Sequence, residues 1–419
     1  MNNKLFLRHF AAVVSLLGFL FATSTASAQW QRVFGPTGGD VEALASDAAG
    51  HLYAGTDSGV YVSTNNGTDW VQKNAGLLDS EIFSFAVTPS GTVLAGTEGS
   101  GIFRSTNFGD TWEAANEGLP PGSNILSLAS DRAGNIFAGH SMSGVYFSSD
   151  DGLHWIARNT GMETQTIFSL TVTPSGTIYA GAIPYIFSSN DLGQHWDTSY
   201  ASPGPIIGTA ADEVLALAAD SSGNVFAGTF HAHRARLLAG NSNWDDITPV
   251  AINSDLEVRT LATGGGSVFA GLLGAGVILS GNLGTSWSDF SSGLTDPKIF
   301  SMTFAPSGYL FVGTFLAEIF RINPLLAVHD PSDFQESFEV WPQPFHDKVN
   351  VSFSLDKTEF GQIEIFDALG RKVRASTGGI LQPGRHDMTL DLSTLPSGAY
   401  LFILRTPTEL REIRSACLR

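Results

Sequence analysis

Phe83-Ser84-Phe85-Ala86-Val87, Pro89-Ser90-Gly91, Leu94-Ala95-Gly96 and Ser105-x-Asn107-x-Gly109-x-x-Trp112 follow one another in a single short stretch of the chain. The first piece alternates with a period of two, which places successive side chains on opposite faces of a sheet and so reads as a strand. Pro-Ser-Gly is a tight turn, and the small-Gly piece is the core of the next strand. All four pieces return. The small-Gly core recurs as Tyr53-Ala54-Gly55, Leu94-Ala95-Gly96, Phe137-Ala138-Gly139, Tyr179-Ala180-Gly181, Phe226-Ala227-Gly228, Phe269-Ala270-Gly271 and Phe311-Val312-Gly313, with successive glycines 41, 43, 42, 47, 43 and 42 residues apart. The turn returns as Pro174-Ser175-Gly176 and Pro306-Ser307-Gly308, and the alternating strand as Phe300-Ser301-Met302-Thr303-Phe304.

A period of this length holds four short strands and their turns. One such sheet cannot bury both of its faces alone, but copies stacked around an axis can. The sequence therefore predicts an all-β chain: a seven-bladed β-propeller, followed by a second β domain. Gly in the inner strand core fits a place where neighbouring backbones approach closely. Composition agrees, with 46 Gly, 29 Phe and only 15% charged residues. The seventh unit ends at about Asn323 without a fourth strand. Trp30 precedes Trp70 by 40 residues and opens Trp30-Gln31-Arg32-Val33-Phe34, in phase to supply that strand and remove the open sheet edges.

The expected organisation is a signal peptide over 1–28, the propeller over 29–324 with its N-terminal strand closing the last blade, a linker over 325–335 around Asp330-Pro331-Ser332-Asp333, and the second domain over 336–419. Lys4 and Arg8 precede an apolar run from Ala11 to Phe21 and then Ala26-Ser27-Ala28, the pattern of a cleaved secretory leader. No later segment approaches the roughly 20 apolar residues of a membrane helix, so no transmembrane segment is expected in the mature chain. Cys417 is the only cysteine, which rules out an intramolecular disulfide. The formal charge of −18 becomes about −20 once Lys4 and Arg8 are removed, and this disfavours nucleic acid and anionic lipid as partners.

A second repeat is locked to the first: Ser63-x-Asn65-x-Gly67-x-x-Trp70, Ser105-x-Asn107-x-Gly109-x-x-Trp112, Ser148-x-Asp150-x-Gly152-x-x-Trp155, Ser189-x-Asp191-x-Gly193-x-x-Trp196 and Ser280-x-Asn282-x-Gly284-x-x-Trp287. These resemble the Asp-box, or BNR, repeat, and the resemblance implies a structural turn on the outer hairpin of each blade. In blade five Trp244 keeps its phase, but Asn241 stands at the Gly position and Ala239 at the acidic one. In the second domain, Trp341-Pro342-Gln343-Pro344-Phe345, Ile363-Glu364-Ile365-Phe366-Asp367-Ala368-Leu369-Gly370-Arg371 and Leu395-Pro396-Ser397-Gly398-Ala399-Tyr400-Leu401 resemble the type IX secretion sorting domain. That resemblance implies a small antiparallel β-sandwich domain, a Gram-negative cell, export through the periplasm to the surface or medium, and the type IX machinery and its sortase as partners. Arg411, Arg414 and Arg419 stand where the family often has lysines.

Any ligand should meet the face where the loops after the Gly cores join the loops entering the innermost strands. The first set carries Asp57, Glu98, His140 and the segment His231-Ala232-His233-Arg234-Ala235-Arg236; the second carries Asp79, Glu81, Asp212, Glu213, Asp255, Glu257, Asp296 and Lys298. His231-x-His233 lacks a third ligand, so no metal and no cofactor is expected. No catalytic constellation is recognisable, and an early Arg-Ile-Pro signature of sialidases is absent. The blade unit also resembles photosystem II assembly factors and sortilin-like receptors, which are binding proteins. The reading is a non-catalytic module that binds a glycan or protein partner. The alternative is a glycoside hydrolase, xyloglucanase-like rather than sialidase-like, with two of these carboxylates as acid and base.

Overall fold

The computed structural model describes residues 30–33, 35–36, 38–200, 213–231, 233–248, 256–324, 338–341, 345–355, 359–368, 370–376, 378–382, 384–406 and 410–417. The expected leader, Asp212, Asp255 and the linker lie outside them.

Seven four-stranded antiparallel sheets form the first part of the chain, which is a seven-bladed β-propeller. Blade one runs outward through Val41–Ser46, Leu52–Thr56, Gly59–Ser63 and Val71–Gln72, and the next five blades repeat the order. Blade seven takes three strands, Ile299–Phe304, Leu310–Thr314 and Ile319–Ile322, from the end of the repeat and its outermost strand, Gln31–Val33, from the beginning. The register pairs Gln31 with Arg321 and Val33 with Ile319. The innermost strands touch in a closed cycle, blade seven against blade one included.

The glycines explain how closely the blades approach. They sit on the second strand rather than the innermost one, and a Cβ on any of them would strike the innermost strand of the following blade. At Gly55 it would lie 2.6 Å from Ile82 Cγ2, at Gly228 2.3 Å from Val258 Cγ1, and at Gly313 2.5 Å from Val41 Cγ1. Ile125, Ile167, Val214 and Ile299 fill the same role at the other junctions, all without exposure. A branched aliphatic side chain thus fits over a missing one seven times around, and each fit depends on the blade after it.

The box turns add a second set of ties. In each of the five, the Ser hydroxyl accepts the glycine N–H, as in Gly67 N to Ser63 Oγ at 3.0 Å, and the Asn or Asp oxygen accepts an N–H four residues on. The residue before the glycine is left-handed without being glycine: Asn66, Phe108, Asp151, Leu192 and Leu283 have φ of 55° to 60°. The carbonyl of each receives a cation from the preceding blade, namely Arg321, Lys73, Arg104, Arg158 and Arg236. Tryptophan indoles reach back in the same direction: Trp112 donates to Lys73 O, Trp155 to Ala115 O, Trp196 to Arg158 O and Trp287 to Ile247 O, at 2.9 to 3.1 Å. Trp30 does this for blade seven, donating to Phe290 O of blade six at 2.6 Å.

The C-terminal domain is a small antiparallel sandwich. A three-stranded sheet carrying Val349, Val351 and Phe353 packs on a five-stranded sheet carrying Ile363, Ile365, Phe402 and Leu404, and all seven side chains are fully buried. Cys417 is buried among them as a free thiol, and Phe345 meets Phe402 edge-on and Tyr400 at a tilt.

Candidate functional site

Because strands one and two of each blade are joined by the Pro-Ser-Gly type of turn, the loops after strand two emerge at the other end of the ring. The loops entering strand one emerge there too. This end carries the polar groups singled out above, and the structure sorts them into three places.

Asp57, Asp79, Glu81 and Glu98 come together across blades one and two. Glu98 N–H donates to Glu81 O at 3.2 Å, and Glu81 N–H to Asp79 Oδ1 at 3.2 Å. The Glu81 carboxyl is in hydrogen-bond contact with that of Glu98, and this contact and its charge push Glu81 up, with Asp57 and Asp79 adding to the effect. Asp40, at the entry to blade one, is raised by burial and then by Asp57 and Asp296, against the pull of Lys298. Asp296 is buried; its Oδ1 accepts the Lys298 N–H at 3.0 Å while Oδ2 has no hydrogen-bond partner among the described residues. These carboxylates form an acidic arc over blades seven, one and two.

The arc continues down the axis through residues that sequence reading missed. A bulge in nearly every innermost strand, such as that between Val41 and Ala43, brings in one additional residue per blade. That residue is Phe83, Leu126, Leu215 or Phe300 in four blades, but Glu42 in blade one and Arg259 in blade six. Arg259 lies 3.7 Å from Glu42 and 3.7 Å from Glu257, and its guanidinium rests 5.2 Å from the Phe300 ring of the intervening blade. Phe300 stacks on Phe315, whose outer side carries Lys298 Nζ at 4.2 Å from the ring centroid. Burial pushes Glu42 up to about 7; Arg259 opposes this, and Asp40, Asp57 and Glu81 reinforce it. The signal was present in the repeat itself, as a charge at a position otherwise held by Phe or Leu.

The remaining candidates lie apart from the arc. His140 is buried, with Nδ1 accepting the Met142 N–H at 2.9 Å, and burial lowers its pKa, so the ring fills core space beside Tyr146. His231 packs edge-on against Phe230 on the blade-five loop, and His233 N–H donates to Thr229 Oγ1 at 3.2 Å. Arg234 is not a loop residue: it opens the third strand of blade five and is 1% exposed. Arg236 departs from the loop face altogether, because two residues further along the strand its guanidinium serves the blade-six box turn through Leu283 O and Thr285 Oγ1 and pairs with Asp245 at 3.1 Å. Where blade five has lost its own box, at that same far end, a cleft opens between Tyr179, Leu237 and Asn241 with no charged side chain in its lining. Among the described residues no cluster of three His, Cys, Asp or Glu could hold a metal, and no helix is long and apolar enough to cross a membrane.

These features define a propeller with a charged loop face joined to a sandwich of the export class. Residues 339–413 match the family described as the secretion system C-terminal sorting domain, so the chain carries a type IX sorting domain that directs it to the cell surface or the medium. Among solved structures the chain is similar to PorZ, an essential bacterial surface component of the type-IX secretion system of Porphyromonas gingivalis, with 15% identity and a TM-score of 0.55 over 92% of this chain and 60% of that one. It is similar to YCF48 bound to D1 peptide, with 16% identity and a TM-score of 0.57 over 72% and 97%. It is also similar to the Niastella koreensis GH74 enzyme, with 17% identity and a TM-score of 0.53 over 78% and 59%. At these identities the likeness is one of fold. The chain spans about three fifths of the length of the PorZ structure. No curated protein matches the sequence.

Proposed function

We propose that the chain is an exported, non-catalytic binding propeller whose loop face captures a protein partner through a cationic segment. The observation that carries this is the convergence of Asp40, Glu42, Asp57, Glu81 and Glu98 at one end of the ring, where the charge of Asp57 acts on Asp40, Glu42 and Glu81 alike. Arg259 opposes them beside Glu42, and Lys298 beside Asp40. A lysine or arginine of a partner would relieve that repulsion, and the Phe300–Phe315 shelf beside it offers an apolar footing. The YCF48 structure with a bound peptide is a precedent for this fold holding a protein segment.

The glycoside hydrolase alternative finds less support in the same geometry. The Glu81 and Glu98 carboxyls interact directly and so do not suit that pair of roles, because acid and base must stand about 5 Å apart or more to admit a sugar and its nucleophile. Our proposal includes cleavage of the leader at 1–28, a propeller over 29–324 and a linker over 325–335. It also includes removal of the domain at 336–419 by the type IX sortase.

The test is calorimetric titration of the secreted protein with a lysine- and arginine-rich peptide, an acidic control peptide and a panel of plant and host polysaccharides. Binding of the basic peptide alone, weakened at least tenfold by Asp57→Asn, Glu81→Gln and Glu98→Gln together, is expected. Turnover of a polysaccharide, or unchanged peptide affinity in the triple variant, would overturn the reading.

A further inference from the structure

The third strand of every blade has one residue facing the core glycine across the ladder. In six blades it is Val60, Ile102, Val145, Ile186, Val277 or Ile319, each fully buried against the next blade. In blade five the register pairs Gly228 with Arg234. A charged side chain therefore occupies a site that the fold fills six times with a β-branched aliphatic one.

The backbone of Arg234 is satisfied: its N–H donates to Thr248 Oγ1 at 2.8 Å, and its carbonyl accepts the Ile247 N–H at 3.0 Å. The guanidinium is not. Nε and both terminal nitrogens are buried with no hydrogen-bond partner among the described residues, and the group lies 5.3 Å from the ring centroid of Trp287 in blade six. An aromatic face attracts the charge but accepts none of its five N–H donors in their fork geometry. A water molecule accepts one or two of them and leaves the positive charge in a low-dielectric setting. A carboxylate answers both needs, since it is an anion and its two oxygens match the fork.

We infer that Arg234 anchors a carboxylate-bearing ligand at the junction of blades five and six, on the Trp287 ring. Phe230, exposed beside His231, lies at the loop end of the same blade. Arg236, two residues away on the same strand, is committed to the opposite end, which leaves Arg234 as the group that selects the anion. The site is separate from the acidic arc of blades seven, one and two, so failure of the cationic-segment reading leaves it standing.

The experiment compares thermal unfolding of the full secreted chain in sodium acetate, sodium phosphate and sodium chloride at equal ionic strength, with the Arg234 Nε signal followed by NMR. Acetate is expected to raise the midpoint above that in chloride and to shift the Nε resonance. Arg234→Met should abolish the rise, and Arg234→Lys, which keeps the charge without the fork, should reduce it. Equal wild-type midpoints in acetate and chloride, a rise in phosphate but not acetate, or an undiminished rise in Arg234→Met would each overturn the inference.

Discussion

Replacing Trp30 by Ala should cost more stability than the same change at the box tryptophan Trp70, because Trp30 is the more buried ring and holds the seam between the two ends of the repeat. The ring is 3% exposed, meets Phe290 edge-on at 6.0 Å, and lies in one cluster with Phe269, Ile299 and Phe320. Truncation leaves a cavity worth about 3–5 kcal/mol. It also strips the buried Phe290 carbonyl of its indole donor, a further ~1–3 kcal/mol that partly overlaps the first term. A net loss of about 4–6 kcal/mol is a large share of a domain's usual ~5–15 kcal/mol. Trp70 is the internal control: it is half-buried, and its indole bonds only Gly67 O of its own turn at 3.1 Å, so Trp70→Ala should cost about 1–3 kcal/mol. Guanidinium unfolding followed by far-UV circular dichroism measures both. Trp30→Phe, which keeps a ring but not the N–H, should fall between them. If Trp30→Ala proved no more costly than Trp70→Ala, the seam would not be where the ring is held.

Arg234→Met should stabilise the protein in chloride buffer: burial depresses the guanidinium from its ordinary value to about 10, which corresponds to about 3 kcal/mol against the charged form, and urea unfolding at pH 7 reads the gain. Glu42 is raised in the folded state from 4.5 to about 7, so its contribution is fully present below pH 4.5 and is lost as the pH climbs through 7. Stability should fall by up to about 3 kcal/mol across that window, and Glu42→Gln should flatten the urea midpoint between pH 5 and pH 8. Gly271→Ala would bring a methyl group 2.6 Å from both Ile299 Cγ2 and Thr260 Cγ2 and should cost about 1–3 kcal/mol by overpacking; a neutral result in thermal unfolding would show that the blades can part there.

The architecture was legible because its signals are periodic. Seven glycines at one spacing mark seven junctions, and each meets a branched residue of the following blade that also recurs in phase. What the spacing did not reveal was which strand carried the glycine, since position relative to an axis is a property of stacking and not of local pattern. The site was less legible for the same reason. Asp57, Glu81 and Glu98 could be placed on one face, but their crowding, and the reach of Arg259 across blade seven to Glu42, depend on distances across a ring. Arg234 and Arg236 look alike in sequence, two residues apart beside two histidines. The strand separates them into a buried unpaired cation and a clamp on the neighbouring box turn, and only the register tells them apart.

The pairing of Gln31–Val33 with Ile319–Ile322 bears on the order of events during export. A polypeptide delivered N-terminus first presents one half of this clasp at the outset and the other after nearly three hundred further residues. Until then the first and the latest blade each lack a neighbour on one side, and the ring stays open. Arrival of Ile322 shuts it while the sorting domain is still to follow.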